Sequence, residues 1–231
     1  MPTVVLVRHG RTAANISGVL AGRSSIGLDE TGWAQAEALA TRMRGLRPAL
    51  VVSSPLRRCV ETAEALGLVE PPAIERDDRL LEADYGDWAG RDLGSLARSK
   101  LWRVVQDHPS AAVFPGSGEG MADVAARAVR GIRDIDRRIA AERSPNAVWV
   151  AVSLGDVIKA VLADALGMHL DMFQRIVVDP CSVSVVRYTP RRPFVLRMND
   201  TAGSLEGLQP TRRRRRAPHG DAAVGGGAGD S

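Results

Sequence analysis

Long apolar runs are missing from this sequence, cysteine is scarce and aromatic side chains are few. The longest apolar stretches, Thr3 to Val7 and Ala147 to Val152, fall far short of the roughly 20 residues that cross a bilayer. Met1-Pro2 leads straight into the first of them, so neither a signal peptide nor a membrane partner is expected. The two cysteines, Cys59 and Cys181, have no metal-ligand spacing, which argues for buried thiols in a reducing, cytoplasmic setting. No Cys/His cluster and no Gly-x-Gly-x-x-Gly after a strand suggests a metal or a dinucleotide, and no cofactor is expected.

Charge of one sign is also in short supply. Lys and Arg number 31 against 27 Asp and Glu, for a net charge of +4. The run Arg212 to Arg216, set against Asp221 and Asp230, supplies three of those four charges, so the body is almost neutral. Without a basic surface interleaved with aromatics, a nucleic-acid partner is not expected and the arginine run reads as a solvated tail. From Gln209 onward the chain is Pro, Arg, Gly and Ala with no apolar period. That composition predicts a disordered tail over 206–231 behind one folded domain over 1–205. The length and the 45% hydrophobic content suit a single core.

What is present alternates in period. Thr3 to Val7 is a continuous aliphatic run that suits a strand buried on both faces. A helix follows from Asp29 through Trp33, Ala36, Leu39 and Met43, and Pro48 stops it. Ala49 to Ser53 is a second buried strand, and Ser54-Pro55 opens a helix carrying Arg57, Cys59, Thr62 and Ala63. Helices are predicted over Leu93 to Val105 and Asp123 to Ala141, then a strand over Ala147 to Val152 and a helix from Gly155 to Leu166, ended by Gly167. Val183 to Tyr188 and Phe194 to Arg197 form a late strand pair. The expectation is an α/β fold, a three-layer αβα sandwich with a mainly parallel central sheet and one antiparallel member.

Four segments carry chemistry. Arg8-His9-Gly10-Arg11-Thr12-Ala13-Ala14-Asn15 follows the first strand, where open α/β sheets place their sites. A neutral imidazole nitrogen of His9 can attack phosphorus, Arg8 can hold phosphoryl oxygens through its fork, and Gly10 lets backbone approach closely. In Ser53-Ser54-Pro55-Leu56-Arg57-Arg58 the N-terminal amides of a helix favour anions, and Arg57 is placed to face the same anion while Arg58 is expected at the surface. Glu82, ahead of Tyr85-Gly86-Asp87-Trp88-Ala89-Gly90, can protonate a departing alcohol and then deprotonate water if its pKa is raised in a dry pocket. Asp84, two residues on, points away, and Tyr85 and Trp88 read as core anchors. The fourth segment is Ser153-Leu154-Gly155-Asp156 at the end of a buried strand, where the helix N-terminus at Gly155 offers amides to an anion.

These segments, spread over about residues 1–200, resemble the histidine phosphatase superfamily, the phosphoglycerate mutase-like family, in its phosphatase-type branch. The resemblance implies His9 and Glu82 as catalytic residues, with Arg8, Asn15, Arg57, Leu154 and Gly155 around the phosphoryl group. It also exposes a departure, because the family pattern Ser-His-Gly reads Ser153-Leu154-Gly155 here, and leucine can neither donate to the phosphoryl group nor offset its charge. The expected function is a phosphomonoester hydrolase working through phospho-His9, with reduced turnover, on a small phosphorylated substrate. Two alternatives stay open: a non-catalytic phosphometabolite-binding protein and, ranked lower, a phosphomutase. His108, His169 and His219 are read as outside the site, while Arg23 and Glu119 are candidates for its rim. A homo-oligomer is left open.

Overall fold

The computed structural model describes residues 2–68 and 74–202. The expected tail over 206–231 therefore lies outside the described residues. Six strands form one sheet: β1 (Thr3–Arg8), β2 (Val51–Ser53), β3 (Ile74–Arg76), β4 (Val148–Ser153), β5 (Val183–Tyr188) and β6 (Pro193–Asp200). Their order across the sheet is β3-β2-β4-β1-β5-β6. The β1–β4, β2–β4 and β2–β3 pairings are parallel, whereas β5 runs antiparallel to both β1 and β6. One strand is thus reversed in an otherwise parallel sheet, as expected. β1 and β4 are buried on both faces, which is why Val4 to Val7 and Trp149 to Val152 are apolar without alternation.

Seven α-helices are described: α1 (Ala13–Ser17), α2 (Glu30–Met43), α3 (Arg57–Ala65), α4 (Leu93–Leu96), α5 (Lys100–Asp107), α6 (Met121–Glu142) and α7 (Gly155–Leu166). The helices flank the sheet, with α2 against α3 and α6 against α7. Asp29 caps α2 by accepting from the Gly32 amide at 2.7 Å, and Gly167 ends α7 in the left-handed conformation at φ 68°. α6 is 22 residues long and buries Val124, Ala128, Ile132, Ile135 and Ile139, the apolar stripe visible in the sequence.

Three details depart from the sequence expectations. The helix read over Leu93 to Val105 is two helices separated at Ala97–Ser99, because Ser99 accepts from the Trp102 amide and starts a new turn. The helix opened by Ser54-Pro55 begins at Arg57, with Leu56 as the capping residue in extended conformation. β3 was not foreseen: its residues are Ile-Glu-Arg, two of them exposed, at the edge of the sheet.

Candidate active site

Parallel pairing sets Arg8 beside Ser153 at the carboxyl ends of β1 and β4, and the chain leaves both strands toward the same side. The His9 amide donates to the Ser153 carbonyl at 3.0 Å and the Ser54 amide to the Val152 carbonyl at 2.9 Å, so the exits of β1, β2 and β4 are tied together. This crest is the crevice that open α/β sheets offer to ligands. The Arg8–Thr12 loop lies so close to α2 that a Cβ on Gly10 would sit 2.6 Å from the Gly32 carbonyl oxygen, which explains the glycine.

His9 is 3% exposed, and its Nδ1 lies 2.7 Å from the Gly10 carbonyl. A carbonyl only accepts, so Nδ1 carries the hydrogen and Nε2 keeps its lone pair. Burial pushes the imidazole pKa well below its ordinary value, and the charges of Arg58 and Arg8 push it the same way. The outcome is a neutral ring in the tautomer a nucleophile needs. Gly10 is itself fixed, since its amide donates to the Thr62 hydroxyl at 3.0 Å and that hydroxyl donates to the Arg58 carbonyl at 2.7 Å.

A small cavity of about 40 Å³ opens at this point. His9, Thr12, Asn15, Arg58, Glu82 and Tyr85 give it polar walls, and Val19, Leu20 and Leu93 are among its apolar ones. Glu82 is 3% exposed, and its carboxyl is pushed from 4.5 up to about 7, first by burial and next by the charge of Asp156, against the pull of Arg58 and Arg8. One Glu82 oxygen accepts from the Ala83 amide at 3.1 Å. A carboxyl titrating near neutrality can both give and take a proton at working pH.

The sequence placed Arg57 toward the anion and Arg58 at the surface; the structure has them the other way round. Arg58 is 2% exposed, lines the cavity, and donates to the Gly22 carbonyl at 2.7 Å and the Ser24 carbonyl at 3.1 Å. Arg57 has a side chain 62% exposed and pairs with Glu61 at 2.6 Å. A signal for this was present: Arg58 lies four residues before Thr62, on the face of Cys59 and Ala63, whereas Arg57 lies four before the charged Glu61.

The other expected residues are distributed as follows. Asn15 lines the cavity, and its carboxamide oxygen accepts from both the Thr12 amide and hydroxyl, closing the start of α1. Arg8 is fully buried behind His9, donates to the Val178 carbonyl at 2.8 Å, and has its pKa lowered to about 10 by burial. Leu154 is fully buried as the residue capping α7, and Gly155 is the first residue of that helix. Arg8, Leu154 and Gly155 are not among the residues that line the cavity. At the rim, Arg23 pairs with Glu119 at 3.0 Å and donates to the Glu82 carbonyl, and Arg127 grips both Glu119 oxygens, at 2.6 and 2.9 Å, together with the same Glu82 carbonyl. Two arginines thereby hold the backbone of the acid. Arg127, like Asp156, was missed in the sequence, because its role depends on a contact 45 residues away.

Residues 4–201 match the sequence profile of the histidine phosphatase superfamily (branch 1). The glucosyl-3-phosphoglycerate phosphatase of Mycolicibacterium vanbaalenii is 32% identical over 178 residues, covering 73% of this chain and 76% of the relative. Phosphoserine phosphatase 1 of Hydrogenobacter thermophilus is 30% identical over 203 residues, 87% of this chain and 93% of that protein. Among solved structures, the mycobacterial glucosyl-3-phosphoglycerate phosphatase bound to VO3 superposes with a TM-score of 0.75 at 28% identity, covering 86% of this chain and 98% of that one. Taken with the crest of β1 and β4 and the Arg-His-Gly loop upon it, these matches show that the chain belongs to the histidine phosphatase superfamily, branch 1.

Proposed function

We propose that this protein hydrolyses small phosphomonoesters through a phosphohistidine on His9. The observation that carries the reading is the His9 tautomer, with Nδ1 committed to the Gly10 carbonyl and Nε2 left as a lone pair in a cavity that also holds Arg58 and Glu82. Nε2 attacks phosphorus, the P–O ester bond breaks, and protonated Glu82 gives its proton to the departing alkoxide oxygen. Glu82, now a carboxylate, takes a proton from water as that water attacks phosphorus. The P–N bond breaks, its electron pair returns to Nε2, and phosphate leaves with Glu82 again protonated. Arg58 meets the equatorial oxygens and Arg8 adds positive potential from behind the ring.

Leu154, in this reading, occupies the place of the family's second histidine. The site then stabilises developing charge with the two arginines and the α7 N-terminus, and turnover is reduced. Substrate is a small phosphorylated metabolite, the class named for the relatives. The full burial of Leu154 also favours a second reading, a phosphometabolite-binding protein that has lost turnover. Rapid quenching after mixing with a generic phosphomonoester decides between them. Acid-labile phosphate on wild-type protein and none on His9→Ala supports hydrolysis; binding with no labelled histidine and no phosphate release favours the second reading.

A further inference from the structure

Beyond Tyr85, one wall of the cavity, the interior holds a second carboxyl that the reaction above does not use. Asp156 is the second residue of α7 and is 1% exposed. The Tyr85 hydroxyl donates to its Oδ2 at 3.1 Å, and the Lys159 ammonium lies 3.6 Å from its Oδ1, one turn along the same helix. Lys159 is 3% exposed, donates to Gln174 Oε1 at 3.1 Å and sits 5.7 Å from the centre of the Phe173 ring. Tyr85 is 1% exposed and reaches forward as well, since its ring forms a wall of the cavity beside Glu82. A buried tyrosine thus spans from the site to a buried ion pair.

Burying an aspartate and a lysine together is costly unless their remaining atoms are satisfied, and it contributes little stability over an apolar pair. Here the pair is supplied with a hydroxyl donor, a carboxamide acceptor and a helix N-terminus that favours an anion. We propose that Asp156 is a positioning residue for the site: held by Lys159 and Tyr85, it is a fixed negative charge that keeps the Glu82 carboxyl a proton donor. The inference rests on the hydrolytic reading for its role, though the interaction between the two carboxyls stands apart from catalysis. A carboxylate charge near a buried carboxyl favours the protonated form of the latter, and burial acts on Glu82 in the same direction. Asp156 has the hydroxyl, the ammonium and the helix end; Glu82 has a single amide from Ala83. Other charged or titratable groups face this pair. Arg58 and Arg8 oppose protonation of Glu82, while Tyr85 and Lys159 are themselves shifted by burial, the phenol upward and the ammonium downward, so the phenol stays a donor.

The test is a 13C NMR titration of the Glu82 side-chain carboxyl in the full chain, with Asp156→Asn and Lys159→Met, alongside pH profiles of kcat/KM on an alkyl phosphate. Asparagine retains an acceptor for Tyr85 and removes the charge, so the Glu82 midpoint is expected to fall by about one pH unit in Asp156→Asn. Lys159→Met leaves Asp156 less neutralised, and the midpoint rises. The upper limb of the pH profile, which reports loss of the Glu82 proton, moves in the same directions. Opposite shifts are something a mere packing defect does not produce. A Glu82 midpoint unchanged in folded Asp156→Asn overturns the proposal, and if Lys159→Met fails to fold, that variant alone decides. Should the NMR midpoints move while no variant, wild type included, hydrolyses any ester, the hydrolytic reading fails and the coupling stands.

Discussion

Exchanging the roles of two neighbouring arginines makes the sharpest test of the site. Arg58→Met removes a guanidinium that is 2% exposed and donates to the Gly22 and Ser24 carbonyls at 2.7 and 3.1 Å. Hydrogen bonds to a charged group contribute about 1.5–3 kcal/mol each, and relief of repulsion with Arg8 offsets part of that loss, so the net cost is about 2–3 kcal/mol. For a domain of this size that lowers Tm by roughly 4–12 °C. Activity suffers further, because the phosphoryl group loses a preorganised donor, typically about 10²–10³ in rate. The substitution also removes the larger of the two positive charges that hold His9 neutral, so the kcat/KM profile should lose activity at acidic pH. Arg57→Ala, by contrast, breaks an exposed pair with Glu61, at a cost of about 0–1 kcal/mol, and should change kcat/KM less than about twofold. Thermal melts and steady-state kinetics on both variants settle the matter. A tenfold loss in Arg57→Ala, or none in Arg58→Met, would refute the assignment.

Other outcomes follow from the same geometry. His9→Ala should abolish phosphate release on every ester, while Glu82→Gln should slow alkyl phosphates and spare nitrophenyl phosphate, whose leaving group hardly needs a proton; equal losses on both would make Glu82 structural. Leu154→His should raise kcat/KM at least about tenfold, a floor below the usual worth of one donor, and equal rates in the two proteins would mean that another group has taken over. Because the Glu82 pKa is raised from 4.5 to about 7 on folding, the native state binds the extra proton, so this group's contribution to stability falls as pH rises from 4.5 through 7. His9, whose pKa is depressed on folding, acts oppositely, its contribution being lost as pH falls below 6.5. Melts of Glu82→Gln and His9→Ala from pH 5 to 8 should therefore deviate from wild type with opposite slopes, and parallel curves would refute the burial argument.

Local pattern was enough for most of what depends on periodicity. The uninterrupted aliphatic runs of β1 and β4, the apolar stripes of α2 and α6 and the Gly167 stop of α7 were legible because burial on a known face dictates residue type at fixed intervals. The segments that bring His9 and Glu82 to one cavity were legible too, the first following a buried strand and the second preceding an aromatic turn. β3 was not, being a three-residue edge strand with two exposed residues and no periodic signal. The choice between Arg57 and Arg58 was legible only in the i, i+4 pattern, Arg58 with Thr62 and Arg57 with Glu61; adjacent helix positions differ by about 100°, which exchanges interior for solvent. The tuning of Glu82 is more remote still. Asp156 lies 71 residues beyond Tyr85 in sequence, and the parallel pairing of β1 with β4 sets the start of α7 on the same side as the cavity that Tyr85 lines. Charge interactions fall off with distance in space and are indifferent to distance along the chain, so the fold alone decides which charges a buried carboxyl feels.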